Sequence, residues 1–241
     1  KSSEDNLWAG AGLLNSSEVQ LTNEEWSEFY EQSGIQDRFA GVRGLGYAEI
    51  VNRIDLSDLE NDYDVAVYPE SENSVTANVV YLDPNLGNNR HVLGFDMYSN
   101  DIRREAMFLA RDTNEAFMTK PTVLVQRSDA TDEPELGFVL YVPRYTRNAD
   151  RETLDERREN IKGSVYSVFT AKDFLSSALL RQSDDRFSYQ VMVDDMVLYE
   201  EAEFAEMQTG DFQEQVISST LKGVDFDIRY VYNPSEILPN S

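Results

Sequence analysis

The chain contains no cysteine, a single histidine (His91) and no apolar run approaching the roughly 18 residues needed to span a bilayer as a helix. Without cysteine there are no disulfides, no thiol nucleophile and no zinc–thiolate centre. One histidine excludes every site built on two. Basic residues are also scarce, 21 Lys+Arg against 45 Asp+Glu, for a formal net charge of −24. Such a surface repels phosphate backbones and anionic head groups, so nucleic acid is not an expected partner. The acidic groups Asp55, Asp58, Asp62 and Asp64, and Asp129, Asp132, Glu133 and Glu135, lack EF-hand spacing and read as solvated loops, so no metal site is expected. Gly41, Gly44 and Gly46 do not follow dinucleotide-binding spacing and precede a strand rather than a helix. No cofactor is expected. Carboxylates are abundant, but nothing pairs them for catalysis, so no catalytic residue is assigned. No signal-peptide pattern is recognised within these residues. With its start at Lys1, the chain reads as a segment of a longer protein, and any membrane anchors are expected to flank it.

What is present suits a folded domain: 241 residues, 41% apolar, with 13 Tyr and 12 Phe. Leu7, Trp8, Ala11 and Leu14 recur at helical spacing, which predicts that the chain opens in the end of a helix. Thr22 and Glu25 form a capping-box pattern ahead of Trp26, Phe29 and Tyr30, predicting a second helix that ends near Gly34. Gly41–Val51 suits a turn feeding a strand, and strand alternation appears at Val75, Ala77, Val79 and Tyr81, with a polar segment from Asn52 to Asp64 between them. Ser99 or Asn100 caps a helix whose predicted buried face is Ile102, Ala106, Leu109 and Ala110. Thr122–Gln126 and Gly137–Tyr141 follow as strand candidates around an acidic loop. The charged run Asn148–Asn160 is the expected internal boundary. A strand at Val165–Phe169 and a helix from Thr170 come next. Strict alternation then marks Phe187–Val193 and Phe226–Tyr232, with strands also predicted at Met196–Tyr199 and Gln215–Leu221. The pattern is α+β, simplest as two small antiparallel sheets.

One block carries a family resemblance. Gly94-Phe95-Asp96 ends a strand, Arg104-Glu105 forms a basic-acidic pair, and Ala110-Arg111-Asp112-Thr113 leads to Thr119 at the next strand start. This resembles the central motif of CHASE domains, the extracellular sensors of many histidine kinases, cyclases and plant cytokinin receptors. Asn114 stands where that motif usually has Gly. The segment from Phe39 to Tyr47 resembles the family's Phe-Pro-Gly segment, with Ala40 replacing Pro. Gly137–Tyr145 resembles its Pro-x-Tyr strand, and Gly163–Tyr166 the strand opening its second half.

The resemblance implies an N-terminal segment 1–33, the end of a long stalk helix. It further implies two PAS-like subdomains with antiparallel sheets, membrane-distal and ligand-binding at 34–147 and membrane-proximal at 148–241. It also implies transmembrane helices on both sides, an extracytoplasmic location, a homodimer through the N-terminal helix, and a small-molecule ligand in the distal subdomain. In cytokinin receptors the residue before the basic-acidic pair is an Asp that bonds the ligand's purine; Arg103 stands there, which points to an anionic ligand. The other reading of Arg103 is an exposed helix residue or an ion-pair partner. Tyr141 replaces a ligand-contacting Thr, Val125 replaces a Leu, and Thr119 keeps its type. Tyr98, Phe117 and Phe138 are expected to line an apolar cavity, or simply to fill a core. The functional expectation is a sensory module without chemistry of its own. The alternative is a secreted or surface binding protein for a small molecule or a protein partner.

Overall fold

The computed structural model describes residues 3–39, 41–85, 87–125, 135–180, 186–207 and 212–234. Ala40, the acidic residues 129, 132 and 133, and the Asp184-Asp185 pair lie outside these ranges.

The opening helix α1, Ser3–Ser16, buries Leu7, Ala11 and Leu14, as the spacing predicted. Helix α2, Asn23–Ser33, begins with the Thr22–Glu25 capping box and ends at Gly34, whose φ is +58°. A single turn of helix, α3 (Ile35–Arg38), follows. Trp26 anchors this layer: its ring stacks on Tyr81 at 5.3 Å and its indole donates to the Leu45 carbonyl at 3.3 Å.

The first sheet is built from β1 (Val42–Asn52), β2 (Val75–Asp83), β3 (Phe117–Met118), β4 (Thr122–Val123), β5 (Leu136–Tyr145) and β6 (Ile161–Thr170). Helices α4 (Leu56–Tyr63), α5 (Asp101–Thr113) and α6 (Leu154–Asn160) connect them. Strand order is β2-β1-β6-β5-β3, with β4 also on β5, and every pairing is antiparallel. The polar segment after Asn52 folds as α4, which buries Leu59.

Strand β6 departs from the expectation. The Val165–Phe169 stretch was read as opening the second half. It lies instead in the middle of the first sheet, paired with β1 on one side and β5 on the other. A division at residue 148 therefore falls between two paired strands, and the sheets part between Thr170 and Phe187. The charged run that suggested the boundary is the β5–β6 connection, carrying α6. High charge marks exposure there, not the end of a folding unit.

Helix α7 (Ala171–Leu180) leads to the second sheet. Its strands are β7 (Phe187–Val193), β8 (Met196–Glu200), β9 (Gln213–Leu221) and β10 (Val224–Tyr232), with the short α8 (Phe204–Met207) between β8 and β9. The order is β8-β7-β10-β9, again antiparallel. The α+β class, the N-terminal helix and the two antiparallel sheets are all present. Alternation in β7 and β10 splits along the strands' length. Val191, Val193 and Phe226 are buried, while Phe187, Tyr189, Tyr230 and Tyr232 form a half-exposed aromatic cluster.

The first sheet has two apolar faces. One carries Leu45, Tyr47, Leu140, Val142 and Val165, and is continuous with α1, α2 and the buried end of the second sheet. The other carries Ala48, Val79, Val139, Tyr141 and Tyr166 against Met97 and α5. Phe138 belongs to the first face, where its ring meets Phe174 at 6.1 Å and Phe226 at 5.6 Å. The two sheets thus share one core. Phe138→Ala is expected to cost about 3–5 kcal/mol by the cavity it leaves. Urea unfolding followed by circular dichroism should show both sheets lost in one transition at a lower midpoint.

Candidate ligand-binding site

The motif Gly94-Phe95-Asp96 builds the roof over the second face. Gly94 has φ +83°, and a Cβ there would lie 2.0 Å from the Ala66 carbonyl oxygen, so only glycine fits. Its N–H donates to Val79 O, and Asp96 N–H to Tyr68 O. The fully buried Asp96 carboxylate accepts from Ala77 N and Tyr98 N, each at 2.9 Å. This fixes the turn that launches α5. Asn100 caps the helix by accepting from Arg103 N at 3.1 Å. At the other end Asn114 takes the left-handed conformation at φ +57°, which explains how it substitutes for the family's glycine.

The face α5 buries is Arg103, Ala106, Met107 and Ala110. The predicted face needs correction at two positions, since Ile102 and Leu109 are 36% and 42% exposed. Counting apolar residues turned the helix the wrong way because the buried stripe includes an arginine. Arg103 is only 4% exposed. Its Nη2 donates to the Val123 carbonyl at 2.9 Å and its guanidinium lies 5.3 Å from the Phe95 ring centroid. Its Nε has no partner, and among the described residues no carboxylate pairs with it.

Three phenols lie within electrostatic reach of this cation. Burial pushes the Tyr141 and Tyr166 hydroxyls well above their ordinary value, and Tyr68 upward as well, while the Arg103 charge opposes the shift in all three. All three therefore stay protonated. Tyr141 and Tyr166 are fully buried with ring centroids 6.0 Å apart. The Tyr141 hydroxyl reaches only the Met97 sulfur, at 3.5 Å; the Tyr166 hydroxyl has no partner. Gly46 makes room for it, since a Cβ there would meet the phenol oxygen at 2.6 Å. Tyr68 donates to the His91 carbonyl.

The sequence-derived residues divide among several places. Arg103 and Tyr141 come together. Tyr98 packs edge-on against Phe108 at 5.3 Å, on the outer side of the same cluster. Thr119 is buried and stitches the sheet edge, its Oγ1 accepting from Val139 N at 3.0 Å. Val125 and Phe117 are half-buried against the same cluster, and the Phe117 ring also lies beneath Gly223 of the second sheet. Phe138 does not belong: it faces the opposite side of the sheet, because residues 138 and 141 of one strand point to opposite faces. Tyr166 and Tyr68 were not foreseen as site residues. Placing β6 at the centre of the first sheet would have revealed Tyr166.

A second polar device lies on the other face. Arg144 of β5 donates to the Tyr47 hydroxyl (2.7 Å), to Asn15 Oδ1 (3.1 Å) and to the Leu14 carbonyl (3.4 Å), tying the end of α1 to the sheet.

An α-helix leading into two antiparallel sheets is an architecture that the chain shares with solved receptor domains. The chain shares its fold with an extracellular ligand-binding receptor from Desulfohalobium retbaense, at TM-score 0.57 and 13% identity over 95% of this chain. The chain spans only 36% of that receptor's length. It is likewise similar to the periplasmic sensory domain of the Campylobacter jejuni chemoreceptor Tlp1, at TM-score 0.53 and 8% identity, covering 98% of this chain and 90% of that one. No curated protein matches the sequence. The CHASE domain model matches residues 19–205, and the chain belongs to the CHASE family. Among the described residues no helix is long and apolar enough to cross a membrane.

An unpaired buried guanidinium is a liability without an occupant. Arg103→Met keeps the volume and removes the charge. It is expected to raise the stability of the ligand-free protein by about 1 kcal/mol or more, read as a higher urea midpoint at unchanged slope. Asp112 supplies a pH test. The Arg158 guanidinium that hydrogen-bonds it, with Arg111 beside it, pulls its carboxyl down to about 2. A depressed carboxylate stabilises the fold above its unfolded pKa of about 3.9 and loses that contribution as pH falls through the folded value. Between pH 4 and pH 2, Asp112→Asn should therefore lose less stability than the parent in thermal melts.

Proposed function

We propose that this CHASE domain is the input module of a membrane-anchored receptor with a histidine kinase or nucleotide cyclase output, and that it senses a small anion at Arg103. The domain has no chemistry of its own. The observation that carries the ligand class is the pair of orphaned donors, Arg103 Nε and the Tyr166 hydroxyl, beside a cation that no acid neutralises among the described residues. Both orphans donate, so what they lack is acceptor oxygen. An oxyanion supplies acceptors and charge together, and each satisfied donor is worth about 1–3 kcal/mol against its orphaned state. A purine offers less, because Arg103 stands where a purine-binding site would place an acid, and Tyr141 fills space a flat base would need.

Signalling requires that the anion bind one conformation of the domain better than another. In this reading the responding element is α1, which two copies pair in a parallel homodimer ahead of a membrane span. Support comes from the Arg144 tie, which fastens the end of α1 to the strand that carries Tyr141. The membrane is met only through segments flanking this chain, on the extracytoplasmic side.

A thermal-shift screen of small carboxylates, phosphates and adenine derivatives tests the ligand class. Anions are expected to raise the melting temperature of the parent and not of Arg103→Met; a ligand at 100 times its Kd stabilises by about 2.7 kcal/mol. Stabilisation by adenines and by no anion overturns the reading.

A further inference from the structure

Outside the Arg103 cluster, a groove of about 450 Å³ opens to solvent where α5, the start of β2 and the junction of α6 with β6 meet. Ten residues line it. Three are arginines, Arg104, Arg111 and Arg158, and none is acidic. On a chain with 45 acids and 21 bases, a lining with three arginines and no acid departs from the average surface. Two carboxylates pair with these arginines outside the lining. Asp112 is shared by Arg111 and Arg158, each at 2.6 Å, and Asp101 meets Arg104 at 2.6 Å. Asp96 also acts on Arg104 and Asp155 on Arg158, so the guanidiniums are compensated from behind and what the lining offers a ligand is directed N–H donors. The Asp101 side chain is 87% exposed, so water screens its hold on Arg104. The remaining wall is apolar: the Phe108 ring, with Arg111 stacked 4.5 Å from its centroid and Tyr98 at its edge, flanked by Ile50 and Val75.

We propose that this groove is a second binding site, distinct from the buried cluster, for a small monocarboxylate with a flat apolar body. The carboxylate meets Arg104 and Arg158, and the body lies against Phe108 and Tyr98. A monocarboxylate meets these donors with a single charge; a phosphate dianion would face Asp112 with charge in excess. Guanidinium forks fit the two carboxylate oxygens, and aromatic edges fit a planar ring.

Isothermal titration with benzoate, and with benzamide as its neutral counterpart, tests the proposal on the whole domain. Benzoate is expected to bind at least tenfold more tightly than benzamide. Arg104→Gln with Arg158→Gln is expected to weaken benzoate at least tenfold, and Arg103→Met to leave it unchanged. The Arg158 side chain is half exposed, so Arg158→Gln alone keeps the fold and should weaken binding severalfold if the double variant is unstable. Equal affinity for benzamide, absence of benzoate binding, or benzoate affinity retained in the arginine variants overturns the groove site. Loss in Arg103→Met with retention in the groove variants also overturns it, while supporting the buried site. Binding lost only in the groove variants supports this site and leaves the Arg103 reading to its own screen.

Discussion

The first sheet exists only because β6 returns to lie between β1 and β5. The strand is paired along both edges and buried on both faces, Val165 to one side and Tyr166 to the other. Of its two neighbours, β5 precedes it by the α6 connection alone, whereas β1 is separated from it by β2, α5 and β5, so the β1–β6 pairing is the long-range closure of the sheet. Beyond Thr170 the same strand runs directly into α7, whose first turn is held by the Thr170 hydroxyl donating to Asp173 at 2.8 Å. Site, sheet and second unit are thus one continuous path of backbone.

Beneath α5 the energetics run against the usual rule that buried charges are paired. Arg103 is made tolerable by a backbone carbonyl, the face of Phe95 and neighbouring phenols, all neutral groups. Burial keeps those phenols protonated, so they remain neutral beside the guanidinium. An acid beside Arg103 would neutralise the charge on which the proposed anion site depends. The outer groove differs: Arg104 and Arg158 keep much of their side chains in water, while Arg111 is packed on Phe108 and paired with Asp112.

Much of this architecture was legible in the amino-acid order. Capping at Thr22 and Asn100, the helical spacing in α1 and the alternation in β10 depend on local chemistry, and each was found where expected. What failed depended on tertiary context. The run from Asn148 to Asn160 looks like a linker by composition, yet only strand pairing shows that it connects neighbours within one sheet. The rotation of α5 was misread because hydrophobic counting cannot place an arginine inside. The family motif did single out Arg103, since it compares positions and not polarities. Tyr166 went unnoticed as a site residue for the reason β6 was misplaced. Phe138 was grouped with Tyr141 because both are aromatic and near in sequence, where the pleat separates them.

The Arg144 tie has a mechanical corollary. Arg144 and Tyr141 are three residues apart on β5, about 10 Å of extended chain, and point to opposite sides of the sheet. One grips the last turn of α1, the other stands in the donor cluster. No hinge or loop intervenes, so strand β5 is a rigid pin through the sheet, with a head in each compartment. Whatever tilts one head must tilt the other.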